Sequence, residues 1–170
     1  LTVLYNRINA TNIAIVDFLK KKGITEEEIS INAPEIIDMQ AERYVGENKT
    51  YRYNVTTVIT VTSAKVDLVR SLISEQSELL KQGIAITGGD YRYQIQYDYT
   101  SLNEIKPKMI EEATKNAREA ALKFAKDSDS ELGKIRRASQ GQFSIDNRDA
   151  NTPYIKRIRV VTTIDYLLED

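Results

Sequence analysis

Apolar residues first recur at helical spacing between Leu1 and Lys22, where Leu1, Leu4, Ile8, Ile15 and Leu19 form a stripe widened by Tyr5, Val16 and Phe18. That stripe predicts an amphipathic helix ending at Gly23, a residue that accepts the left-handed conformation after a helix terminus, so that Ile24 can pack back on the last turn. The same pattern returns when Ser63 precedes Val66, Val69, Leu72, Ile73 and Leu80 and the run closes on Gly83-Ile84. A third run places Met109, Ala113, Ala117, Ala120 and Phe124 on one side of a helix, and a third glycine exit is expected at Leu132-Gly133-Lys134-Ile135. Ser101-Leu102-Asn103-Glu104 has the form of a capping box, but a helix begun there would enclose Pro107 and lose a backbone bond. The spacing therefore predicts a short turn and a helix from about Pro107 to Lys126.

Between these helices the period changes to two. Tyr91, Tyr93, Ile95, Tyr97 and Tyr99 alternate with Arg92, Gln94, Gln96 and Asp98, which predicts a strand with one aromatic face. Arg52 to Thr62 alternates more softly, with Tyr53, Val55, Ile59 and Val61 on one side, and Ile158 to Leu168 makes a closing strand. Ile29 to Tyr44 is strand-like and suited to pair with the strand after it, although Pro34 has no N–H to give a ladder and should mark a bend or a free edge. Val45–Thr50 and Ala150-Asn151-Thr152-Pro153 have the chemistry of hairpin connections. The expected fold class is α+β, in the order α-ββ-α-β-α-ββ, with three helices packed mainly on one face of an antiparallel sheet. At 170 residues, one domain spanning 1–170 is expected.

Composition narrows the chemistry more than it names it. The chain has no cysteine and no histidine, which removes thiolate nucleophiles, the usual zinc sites and imidazole bases together. A serine nucleophile would need a lysine or carboxylate base brought near by folding, and no short motif points to such a pair. Glu26-Glu27-Glu28 could be proposed as a cation site, but hard cations need oxygens converging from several places, and three adjacent carboxylates read more simply as a solvated turn. Gly88-Gly89 has no following lysine and precedes a strand, so it implies a turn or bulge and no phosphate cradle. The expectation is a protein that is not an enzyme, with no catalytic residues, no metal and no cofactor. The net charge of −1 offers no bulk positive field for nucleic acid, and no apolar run is long enough to span a bilayer.

The tyrosine strand holds the most functional promise, because a phenol combines a large apolar ring with a hydroxyl suited to the boundary with water. Tyr91, Tyr93, Tyr97 and Tyr99 are candidates for a ligand or partner face, able to take a sugar, a peptide or a protein, and Tyr44, Tyr51 and Tyr53 could extend it. The alternative is that the rings are ordinary core beneath a helix.

Asp17-Phe18-Leu19-Lys20-Lys21-Lys22-Gly23-Ile24 leading to Ile29-Ser30-Ile31, the segment Ala113–Ala121, Leu132-Gly133-Lys134-Ile135 and the closing Arg159–Ile164 together resemble the SIMPL-domain family. Its bacterial members include cell-envelope proteins linked to oxidative-stress defence and immunogenic envelope antigens. The likeness runs over nearly the whole chain and consists of scaffold features without a reactive-site motif. It implies a periplasmic or cell-envelope location, reached by an export signal absent from this chain, and a homo-oligomer or a protein that binds a protein partner. It also implies a strand before the first helix, so the first strand of the family is expected to be missing here. An uncovered sheet edge left in that way can recruit another chain. The identity of any small-molecule ligand is not implied.

Overall fold

The computed structural model describes residues 1–41, 51–87 and 91–170, with Tyr91 described in its backbone alone. The chain divides into two compact units, Leu1–Tyr93 and Gln94–Asp170. Its elements are helices and antiparallel ladders, an α+β fold.

The first unit begins with α1 (Thr2–Lys21), followed by a single 3-10 turn at Glu26–Glu28. Strands β1 (Ile29–Ile31) and β2 (Glu35–Asp38) then pair with β4 (Ile59–Val61) and β3 (Tyr53–Thr56) in antiparallel register. The two ladders are out of step by one residue. Ile29 faces Val61 and Ile31 faces Ile59, but Glu35 faces Thr56, and the extra residue falls in the stretch containing Pro34. This is the bend expected from a residue without an N–H. Tyr53, Val55, Ile59 and Val61 are all half-buried, as their alternation predicts. The connection 42–50, with Tyr44, lies outside the described residues.

The second predicted helix forms as two pieces, α2 (Val66–Glu75) and α3 (Ser77–Lys81), separated at Gln76. The core of this unit is Phe18, Leu19, Ile24, Leu72, Leu79 and Ile84, with Ala14, Ile15, Ile29, Ile59, Val61, Leu68 and Val69 packed around it. Its centre is built from the two helix exits. Gly23 (φ +102) donates its N–H to Lys20 O at 3.1 Å while Ile24 donates to Leu19 O at 3.0 Å. Gly83 (φ +77) donates to Leu80 O at 2.9 Å, and Ile84 to Leu79 O at 3.0 Å. In each case the residue after the glycine reaches back five positions, which draws its side chain onto the residue that accepts the bond. That geometry corrects the predicted stripe: Leu79 is buried and Leu80 exposed, because Leu79 is the acceptor residue of its exit.

The second unit carries α4 (Leu102–Asp127), followed by β5 (Glu131–Gln140), β6 (Ser144–Asn147), β7 (Lys156–Arg159) and β8 (Thr162–Glu169). β5 pairs with β8 and β6 with β7, so the two long strands of a hairpin are each interrupted once, and α4 packs along β8 and β5. Three predictions are corrected here. Helix α4 does start directly after Ser101, with the Glu104 N–H donating to the Ser101 backbone O at 3.1 Å and no side-chain cap, and Pro107 is inside it. One lost bond is a small penalty beside the remaining turns of a 26-residue helix packed on a sheet. The less exposed residues of α4 include Ile105, Met109, Ala113, Ala117, Ala121 and Ala125, with Leu102, Lys106, Ile110 and Thr114 beside them in its first half, so the inward face continues at four-residue steps and leaves Phe124 73% exposed. Small side chains on that face permit a close approach to the strands.

Gly133 does not end a helix. Asp129 takes the left-handed position (φ +52), with Asp129 N–H bonded to Lys126 O at 3.2 Å and Ser130 N–H to Ala125 O at 2.9 Å. The third exit therefore has the same hydrogen bonds as the first two without their glycine. Gly133 sits in β5 at a register shift, where an added Cβ would lie 3.0 Å from Leu167 O and 2.8 Å from Glu169 Oε1. Its need is for space. The fourth difference concerns residues 91–99, predicted as a strand: Tyr91–Tyr93 form a 3-10 turn, and Gln94–Thr100 join no ladder among the described residues. A period-two sequence makes a strand only when a neighbouring edge supplies backbone partners.

The exits generate opposite expectations for glycine and aspartate. Gly83→Ala has open space for its methyl group but a forbidden backbone angle, and should lower stability by about 1 kcal/mol. Asp129→Gly should raise it by about 0.5 kcal/mol, both read from urea denaturation midpoints.

Candidate functional site

The four tyrosines named from sequence do not form a row on one strand. The Tyr91 backbone lies in the 3-10 turn with Tyr93, whose ring is half exposed, 51%, and has the Arg92 guanidinium 5.5 Å from its centroid. In the second unit, Tyr97 and Tyr99 are half-buried while Gln96, Asp98 and Thr100 are exposed, so the alternation read in sequence survives as alternating exposure. The Tyr97 ring meets Tyr154 edge to face, with centroids 6.0 Å apart, and Tyr154 belongs to the connection between β6 and β7. Ile95, Gln96, Tyr97 and Asp98 border an open groove of about 260 Å³ completed by Asn147, Pro153 and Lys156. The groove mixes polar and apolar walls and is well short of an enclosed pocket.

A second groove, of about 300 Å³ and almost wholly apolar, lies in the first unit between the start of α1 and the β2–β3 ladder. Leu4, Tyr5 and Ile8 line one side and Pro34, Ile36 and Val55 the other. Helical spacing puts the α1 side chains together, and the bulge at Pro34 turns Ile36 towards them. Sequence periodicity found the α1 stripe but not the groove, and Leu1 and Tyr5 at its start are exposed.

The acidic run does not converge on a common centre. Glu26 pairs with Lys20 at 3.0 Å, while Glu28 turns inward. Its carboxylate accepts bonds from Thr25 N–H at 2.8 Å, Ser63 Oγ at 2.7 Å and Lys65 Nζ at 3.3 Å. Lys65 Nζ also donates to Gly23 O at 2.9 Å, so one lysine ties the first glycine exit to the start of α2. The Thr25 N–H, then Ser63 and Lys65, hold the Glu28 carboxyl at about 2, below its ordinary 4.5. This tie was invisible in sequence because Ser63 and Lys65 lie far along the chain from Glu28. Asp149 plays a local version, accepting from the Thr152 hydroxyl, Arg148 Nε and the Asn151 and Thr152 N–H groups, which hold it at about 2.

Among the described residues, no group of acidic side chains is placed to hold a metal ion, and no helix is long and apolar enough to cross a membrane. The model of the SIMPL family, described as a protein of unknown function (DUF541), matches residues 1–161. The chain belongs to the SIMPL family. No curated protein matches it.

The Glu28 tie has a definite pH signature. Because its folded-state pKa is depressed, its stabilisation is present above pH 4.5 and disappears as pH falls through about 2. Glu28→Gln should flatten the acid limb of the stability curve in that window and leave the slope above about pH 5 unchanged, as read from denaturation midpoints across pH.

Proposed function

We propose that this chain is a noncatalytic protein of the periplasm or cell envelope that works by self-association or by binding a protein partner, contributing indirectly to oxidative-stress defence. The observation that supports the reading is strand edges outside any further ladder among the described residues, together with exposed apolar surface. Every ladder among the described residues has two strands, so each has outward edges, and the groove between α1 and β2–β3 presents apolar walls to solvent. Unpaired strand edges beside apolar surface are the usual means by which one chain recruits another. The envelope location and the link to stress defence rest on the family resemblance, and partners other than nucleic acid are favoured by the near-neutral charge.

The groove beside Tyr97 supports a second reading, in which Ile95, Tyr97 and Lys156 receive a sugar or peptide: an aromatic edge next to polar groups is the chemistry such ligands use. The two readings separate on solution mass. Light scattering over a wide concentration range should give a mass that rises from that of the 19.4 kDa chain to a fixed multiple of it. A monomer at every concentration would defeat self-association and leave partner or ligand binding to be tested at the Tyr97 groove.

A further inference from the structure

Residues 91–99 read Tyr-Arg-Tyr-Gln-Ile-Gln-Tyr-Asp-Tyr, which is the same in both directions except that Arg92 is matched by Asp98. The centre is Ile95. In an antiparallel pair of two such segments, placed so that Ile95 faces Ile95, Tyr93 faces Tyr97, Gln94 faces Gln96 and Arg92 faces Asp98, each contact occurring twice. Opposite charges meet at both ends, amides meet between them, and aromatic rings meet on the other face. A parallel pairing would set Arg92 against Arg92 and Asp98 against Asp98, and a two-residue slip would remove the charge pairs.

The structure shows the central part of this segment in a state suited to such pairing. Among the described residues, no backbone hydrogen bond joins Gln94–Thr100 to a strand. Gln94, Ile95, Gln96 and Asp98 are exposed, while Tyr97 and Tyr99 are half-buried and the Tyr97 ring is held by Tyr154. The segment is thus held at Tyr97, and its peptide groups join no ladder among the described residues. We infer that two copies of this chain associate through Tyr91–Tyr99, as antiparallel strands related by a twofold axis at Ile95. The inference rests on the self-association reading above and names its interface. The occupant is a second copy because the segment is complementary in charge and side-chain type to itself read backwards, as an isologous interface requires. Forming it requires the turn at Tyr91–Tyr93 to extend, so that Arg92 comes into register with Asp98.

Two experiments test the interface in the full chain. Ile95→Cys supplies the single thiol of a chain that has no cysteine, on the proposed axis, where Cα atoms of facing strand residues fall within disulfide range. Mild oxidation should link it into a dimer about tenfold faster than Gln94→Cys, whose own counterpart lies off the axis. Equal rates would overturn the register. Arg92→Asp and Asp98→Arg should each weaken association about tenfold, by setting like charges face to face, and the double exchange R92D/D98R should restore it. Circular dichroism shows whether each variant is folded. Failure of the double exchange to recover association overturns the inference, as does an unaltered mass in both single variants, and in the latter case the self-association reading stands. A monomeric parent protein removes both.

Discussion

The fold of the first unit depends on the conformation of one residue after a helix stops. A left-handed residue at Gly23 or Gly83 reverses the chain tightly enough for the next N–H to reach a carbonyl five positions back. The residue carrying that N–H is isoleucine both times, and Ile24 and Ile84 are among the most buried side chains in the chain. A backbone hydrogen bond and a core contact are therefore made by the same two residues, Leu19 with Ile24 and Leu79 with Ile84. Each exit also sets the direction of the next segment. After the first, the Thr25–Glu28 turn leads into β1, and Lys65 fastens the Gly23 carbonyl to Glu28 from the far end of the hairpin.

Much of this was legible because it is local. A glycine followed by isoleucine at the end of an apolar stripe specifies its own geometry, and Pro34 announces a break in a ladder wherever the ladder's partner lies. The misreadings occurred where two local rules competed or where the deciding contact is distant. Leu80 continues the stripe as well as Leu79 does, and only the exit bond to Ile84 selects Leu79. Gly133 looks like a third exit, but its lack of a side chain serves the approach of Leu167 and Glu169 from the far end of the second unit. Asp129 serves the exit, and an aspartate in that conformation leaves no mark in a hydrophobicity pattern. Helical spacing from Ala120 places Phe124 on the stripe, whereas the alanines at 113, 117, 121 and 125 decide which side of α4 meets the strands.

The candidate site was half legible. The strand reading of residues 91–99 overreached in assuming a ladder, and exposure alternates only from Gln96 to Thr100, where Tyr97 and Tyr99 are half-buried. Strand sequence describes the faces of a strand, whereas a ladder needs an edge elsewhere. That missing edge links the family scaffold to its proposed use: the segment with the plainest strand pattern is one that finds no strand partner among the described residues. Association through it would give a ladder, from a second chain, to backbone groups that join none among the described residues.

Residue-resolved hydrogen exchange at low and high protein concentration tests that central claim most directly. The account predicts that amides within Gln94–Thr100 exchange rapidly at dilution and become protected as the chain associates, while those of Ile24 and Ile84 remain protected throughout. Equal protection of Gln94–Thr100 at every concentration would show that the segment is satisfied within its own chain, and rapid exchange in the associated state would place the interface elsewhere; either result contradicts the account.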